Sequence, residues 1–200
     1  MKTNGKTLAL FDLDGTITKK DTLFAIIQYI HGKPRFYIGL IYLSPFIILY
    51  KVGLLPNWKA KEKILIYFFK NLSFEFFQHQ CNQFAANQLP QLLKKDALKT
   101  IKSLQNEGAE IIVVSASAEN WISPWCTKLN ISCIATKLEI KKGKITGKIA
   151  GRNCHGIEKV NRIKEVINLS EYTSIYAYGD SKGDVPMLNL ANQANYRTFK

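Results

Sequence analysis

Asp12-Leu13-Asp14-Gly15-Thr16 sets two carboxylates one residue apart where the short apolar run Thr7–Asp12 ends. At a strand end, where the chain turns away, both can face a single site. Asp-x-Asp alone arises by chance in about one chain of this length in two or three. Gly followed by Ser or Thr lowers that to on the order of 1 in 200. An Asx-type turn explains one aspartate but not the pair. Three more pieces follow in order: Ser115 in Ser115-Ala116-Ser117-Ala118, Lys159 in Gly156-Ile157-Glu158-Lys159-Val160, and Asp180 and Asp184 in Gly179-Asp180-Ser181-Lys182-Gly183-Asp184. Each has an ordinary reading by itself, as a helix cap, a solvated lysine or a pair of turn residues. Together, four acids, one lysine and one hydroxyl on one face make a site for magnesium and phosphate.

Such a site needs a scaffold that delivers these loops to one edge. Glu110–Ser115 and Ser174–Gly179 are apolar runs that, like Thr7–Asp12, stop at polar residues, and Ile131–Ala135 and Asn195–Phe199 are weaker strand candidates. Helical patterns over Leu92–Gln105, Ala118–Leu129, Ile157–Ile167 and Val185–Ala191 separate them. This alternation predicts an α/β fold, a doubly wound, Rossmann-like parallel sheet with its ligand beyond the carboxyl ends of the strands. Lys137–Ala150 reads as a hairpin turning at Lys142-Gly143, whose lysines suit an exposed edge.

From Thr18 to about Leu89 no strand pattern is present. Asp21–His31, Arg35–Lys51, Asn57–Lys70 and Ser73–Gln88 read as helices, capped at Asp21 and Ser73 and broken at Pro34 and Pro56. The expected division is a core of residues 1–17 and 90–200 and an all-helical cap of residues 18–89, inserted after the first strand. Within it, Phe36–Tyr50 carries no charge. As a helix it spans about 22 Å, short of the ~30 Å hydrocarbon core of a bilayer, and Pro45 is expected to kink it. Two readings stay open: a helix buried in the cap, or an interfacial segment whose flanking Lys33, Arg35 and Lys51 meet anionic headgroups.

The 200 residues, 46% of them hydrophobic, are enough for one compact domain with an insertion and exclude a disordered or fibrous chain. With 28 basic and 15 acidic residues the formal charge is +13, which favours polyanionic or phosphorylated partners. No arginine-rich arm, zinc-finger spacing or aromatic RNA-binding motif accompanies that charge, so nucleic acid is not expected. Cys81, Cys126, Cys133 and Cys154 form no CxxC pair and read as free thiols. The polar opening Met1–Lys6 lacks a leader-like apolar run, so the expected location is cytoplasmic, with the inner membrane face as the alternative if the cap is interfacial.

In these four motifs the sequence resembles the haloacid dehalogenase superfamily of aspartate-nucleophile phosphohydrolases, over essentially its whole length. The helical insert and the Gly-Asp-Ser-Lys-Gly-Asp motif are similar to the phosphoserine-phosphatase-like branch with a C1-type cap. The apolar, basic-flanked cap also resembles lipid phosphatases of the phosphatidylglycerophosphatase C type. The resemblance implies that Asp12 attacks phosphorus to give an aspartyl-phosphate, and that Asp14 protonates the leaving group and later deprotonates water. It implies Mg²⁺ held by Asp12, the Asp14 carbonyl and Asp180, with Asp184 supporting the metal or orienting Lys159. Ser115 and the Ala116 amide would bind the phosphoryl oxygens, and Lys159 would neutralise their charge.

Two departures bear on the substrate. Ala116 and Ser117 stand where phosphoserine-specific members have glycines, and only Arg35, Glu62 and Glu75 are of the types that grip an amino-acid head group. Phosphoserine is therefore not the expected substrate. The expected activity is Mg²⁺-dependent hydrolysis of a small-molecule or lipid-headgroup phosphomonoester, the alternative being a phosphatidylglycerophosphatase-like enzyme at a membrane surface. A non-catalytic basic binding module fits poorly, since every catalytic side chain is present. Nothing in the sequence fixes the oligomeric state.

Overall fold

The computed structural model describes residues 5–200, so the polar opening Met1–Asn4 lies outside it. Strand β1 (Lys6–Phe11) runs into a block of helices, α1 (Thr22–Lys51), α2 (Asn57–Phe69), α3 (Phe74–Asn87) and the single turn α4 (Leu89–Leu92). Then come α5 (Lys95–Asn106), β2 (Glu110–Ala118), α6 (Glu119–Lys128), β3 (Ser132–Lys141), β4 (Lys144–Ala150), α7 (Ile157–Val166), β5 (Tyr172–Gly179), α8 (Val185–Leu188) and β6 (Gln193–Tyr196). The six strands form one sheet in the order β4-β3-β2-β1-β5-β6, parallel except where β4 doubles back on β3. This is the doubly wound α/β architecture, with β1 at its centre.

The pleat explains why β1 is apolar throughout. Leu8 and Leu10 face one side with Ile112, Val114, Ile175 and Ala177, under Ile163 and Met187. Ala9 and Phe11 face the other with Ile111 and Val113. That second side continues without a break into the helical block through Phe69, Phe77, Phe84 and Trp121, all fully buried. At about 1.5–3 kcal/mol for each such side chain, block and sheet are held as one core.

Helix α1 begins as expected at Asp21, whose carboxylate accepts the amides of Leu23 (2.9 Å) and Phe24 (3.3 Å). Its interruption falls at Gly32 (φ 76°, ψ 160°) and not at Pro34. Pro45 introduces no break either. The carbonyl that Pro45 cannot serve, that of Ile41, accepts the Ser44 hydroxyl instead at 2.7 Å. The hairpin strand is also longer than expected, since Ile131–Ala135 and the first hairpin arm merge into one strand, β3.

The helical block joins the rest at two places. At its base, Lys19 N donates to Leu92 O and Lys94 N to Ile17 O, both at 2.8 Å. At its far side it meets the hairpin through main-chain bonds: Asn71 N to Ile145 O (2.9 Å), Ile145 N to Leu72 O (2.9 Å) and Phe74 N to Gly143 O (2.8 Å). Gly147 allows this approach. Its φ is +80°, and a Cβ there would strike the Ile66 backbone of α2. Gly147→Val is therefore expected to destabilise the fold by about 2 kcal/mol or more, read as a fall in the urea midpoint.

Candidate active site

Parallel strands end at one edge, and the expected residues sit on those ends. Asp12 follows β1 directly, its amide donating to Tyr178 O at 2.9 Å, so β5 holds the turn at a fixed height. Lys159, on the first turn of α7, is buried, and its Nζ lies 2.6 Å from both Asp12 Oδ1 and Asp184 Oδ1. Two buried anions thus share one buried cation. Burial alone would lower the Lys159 pKa, yet Asp12 and Asp184 hold it above the usual lysine range. Burial pushes the Asp12 carboxyl up to about 7, against the pull of Lys159 and with added repulsion from Asp184 and Asp14.

Asp184 is occupied on both sides. Its Oδ2 accepts Ser181 Oγ (2.7 Å), Ser181 N (3.0 Å) and Asp180 N (3.2 Å), while Oδ1 takes Lys159. Asp180 accepts Thr16 Oγ1 at 3.2 Å. One carboxylate oxygen from each of Asp12, Asp180 and Asp184 lies within 4.8 Å of the other two. Three hard oxygen donors at this spacing fit a small divalent cation such as Mg²⁺. Gly15 makes room for them: at φ +86°, a Cβ there would run into the Asp180 carboxylate.

Asp14 faces away from this cluster, toward the helical block. Its Oδ1 accepts Thr22 N at 2.6 Å and its Oδ2 accepts Ser117 Oγ at 2.5 Å. Behind them, Trp121 Nε1 donates to Thr22 Oγ1 and Thr22 Oγ1 to Ser117 Oγ, both at 3.1 Å. A chain of donors therefore runs from the core to Asp14 and fixes its orientation. Ser115, fully buried, accepts Ser117 N at 3.0 Å and so shapes the bulge near the end of β2 that carries the Ala116 amide.

All seven expected residues, Asp12, Asp14, Ser115, Ala116, Lys159, Asp180 and Asp184, gather at this edge. Several others were not expected there. Thr16, Ser117 and Thr22 supply the bonds just described; Thr16 and Ser117 lie inside motifs the sequence marked without a role assigned to them, and Thr22 had only its place next to the Asp21 cap. Lys61 of α2 reaches in from the helical block to donate to Ala116 O at 2.5 Å, and burial lowers its pKa. The sequence marks it only as one of three alternating lysines. Arg35 and Glu75 are exposed, and Glu62 is taken by the amide of Ile149 at 2.8 Å.

Above the carboxylates lies a cavity of about 530 Å³, within the usual range for a ligand site. Asp12, Asp14 and Lys159 form its polar floor, and Leu23, Leu40 and Ile47 stand among its apolar walls.

A sequence model of the haloacid dehalogenase-like hydrolases matches residues 9–189. Protein CicA of Caulobacter vibrioides (strain NA1000 / CB15N) is 33% identical over 195 residues, spanning 96% of this chain and 86% of CicA. The histidinol-phosphatase of Neisseria meningitidis serogroup C (strain 8013) is 26% identical over 211 residues, spanning 94% and 88%. A solved structure from Bordetella pertussis Tohama I, of a protein with unknown function, shares the fold with a TM-score of 0.80 at 22% identity, covering 96% of this chain and 89% of that one.

Proposed function

The chain belongs to the haloacid dehalogenase-like hydrolases, and from that premise we propose that it is a phosphomonoesterase working through an aspartyl-phosphate on Asp12. The observation that carries this reading is the convergence of Asp12, Asp180 and Asp184 around Lys159 at the carboxyl edge of β1 and β5. Asp12, Asp180 and the carbonyl of Asp14 would hold Mg²⁺, with Asp184 in support. When bound, the ion offsets the repulsion between an anionic nucleophile and an anionic phosphate.

The remaining chemistry falls to the chain. A carboxylate oxygen of Asp12 forms a bond to phosphorus as the ester P–O bond breaks, and Asp14 gives its proton to the departing alkoxide. Water then attacks the aspartyl-phosphate, Asp14 takes a proton from it, and inorganic phosphate leaves with Asp12 restored. Thr22 and Ser117 aim Asp14 at the leaving oxygen. Ser115 and the Ala116 amide cradle the phosphoryl oxygens, and Lys159 balances their charge while keeping Asp184 in place.

The substrate is a small phosphate ester or a lipid headgroup phosphate. The helical block, as the cap, forms the wall that the leaving group meets. Its side of the cavity sets Leu23, Leu40 and Ile47 beside the charged Asp21, Lys51 and Lys61, and the Arg35, Glu62 and Glu75 expected to grip an amino-acid head all lie outside. Those apolar side chains favour the second reading, a lipid-phosphate phosphatase meeting its substrate at a membrane surface. A screen of phosphorylated metabolites and dispersed phospholipids decides between them.

Hydrolysis of 4-nitrophenyl phosphate tests the activity itself. Removing divalent cations with EDTA is expected to lower phosphate release by about a hundredfold or more, and Mg²⁺ to restore it. Turnover that ignores chelation would overturn the assignment of the carboxylate cluster.

A further inference from the structure

Beyond Gly32, α1 carries two opposed apolar faces. Phe36 and Leu43 point inward and are buried, and Leu40 and Ile47 line the cavity. Tyr37, Ile41, Pro45, Ile48 and Val52 run along the outer side at helical spacing, with Ile38, Tyr42 and Leu49 beside them. All eight are exposed, Ile41 by 74% and Tyr42 by 67%. The sequence left open a buried helix or an interfacial one, and the structure gives a helix buried on one side only. No helix among the described residues is long and apolar enough to cross a membrane.

The charges around this stripe are of one sign. Between Asp21 and Glu62 the chain has no acid, and four of its five cations there (Lys33, Arg35, Lys51 and Lys59) are exposed, while Lys61 turns inward to the Ala116 carbonyl. Lys33 and Arg35 stand at one end of the stripe and Lys51 at the other. On the neighbouring helix Lys63 Nζ lies 5.2 Å from the Phe46 ring centroid, and Lys59 Nζ lies 5.4 Å from that of Trp58, itself 45% exposed.

An apolar stripe rimmed by cations, with aromatic side chains at its margin, has the layered chemistry of a bilayer surface: acyl chains below, anionic headgroups above. A second copy of this chain would set the same cations against each other. We propose that the outer face of α1 from Tyr37 to Val52 docks on an anionic lipid bilayer, lying in its surface. The inner side of the same helix lines the cavity, so docking brings the catalytic edge next to the headgroups. The surface goes beyond the proposed phosphatase chemistry and is tested apart from it.

The test is co-sedimentation with phosphatidylcholine vesicles, with and without about one-third phosphatidylglycerol, at about 0.05 and 0.5 M salt. Wild type is expected to sediment with the anionic vesicles and to weaken as salt rises. Ile41→Ser/Ile48→Ser is expected to lower that binding about tenfold or more while hydrolysing 4-nitrophenyl phosphate at the wild-type rate. Lys33→Gln/Arg35→Gln, which leaves the apolar stripe intact, should lose binding mainly at low salt. Either of three results overturns the proposal: no sedimentation at low salt, binding indifferent to the Ile41/Ile48 substitutions, or a dimer in ultracentrifugation that those substitutions dissolve. Failure to hydrolyse 4-nitrophenyl phosphate would count against the phosphatase reading and leave the vesicle result standing.

Discussion

Asp12→Asn is expected to lower kcat for 4-nitrophenyl phosphate by at least about a thousandfold while leaving the fold intact or firmer. The amide keeps the shape of the side chain but cannot attack phosphorus. It also removes an anion whose burial already works against its charge, and Lys159 retains Asp184 as a partner at 2.6 Å. Inactivity with an unchanged or raised Tm therefore separates lost chemistry from lost structure. The companion measurement is rapid acid quench of wild type during turnover. The peptide containing Asp12, and no other, is expected to gain the mass of one phosphoryl group. Phosphoryl transfer to a different side chain, or an active Asp12→Asn, would sink the mechanism.

Lys159→Met is expected to be the most destabilising change in the site. The wild-type ammonium sits 2.6 Å from each of two buried carboxylates, and methionine fills similar space without the charge. Leaving buried charge unpaired costs about 3–5 kcal/mol, which for a chain of this size lowers Tm by on the order of 10 °C. Adding Asp184→Asn to Lys159→Met is expected to recover part of that loss, because it removes one of the two stranded anions. Mg²⁺ is expected to raise the Tm of the single variant for the same reason, since the neighbouring carboxylates include Asp180. Full stability of Lys159→Met without added cation would show that the charge triad contributes little.

The two substitutions separate chemistry from charge pairing. Asp12→Asn keeps the cation and removes the proposed nucleophile. Lys159→Met keeps the proposed nucleophile and removes the cation. Both variants are expected to be inactive, but only the second loses stability, and that contrast is independent of which substrate the enzyme uses.

The floor of the candidate site was legible in the sequence because strand ends make short, chemically dense motifs. Asp12, Ser115 and Asp180 each close an apolar run, and parallel pairing of β1 with β2 and β5 brings those runs to one edge. What was not legible depends on long-range contact. Ser117 and Thr22 look like an ordinary strand-end residue and an ordinary first-turn residue until the fold brings together positions 95 apart in sequence. Lys61 resembles its solvated neighbours Lys59 and Lys63, and only its reach to the Ala116 carbonyl distinguishes it. Gly32 was passed over in favour of Pro34, since a proline's missing donor is visible in sequence whereas a glycine's positive φ is not. Likewise, an uncharged stretch such as Phe36–Tyr50 cannot say from composition which of its sides finds a protein partner.

The hairpin that reaches up from the sheet changes what opening can mean here. Three peptide-to-peptide bonds stitch the turn before α3 to Gly143 and Ile145, so the roof of the cavity is sewn to the outermost strands as well as attached at its base. A roof fastened along two sides cannot swing like a flap on a single hinge. Admission of substrate must come from small sliding movements that keep those stitches, or from the unsewn flank where the second half of α1 ends.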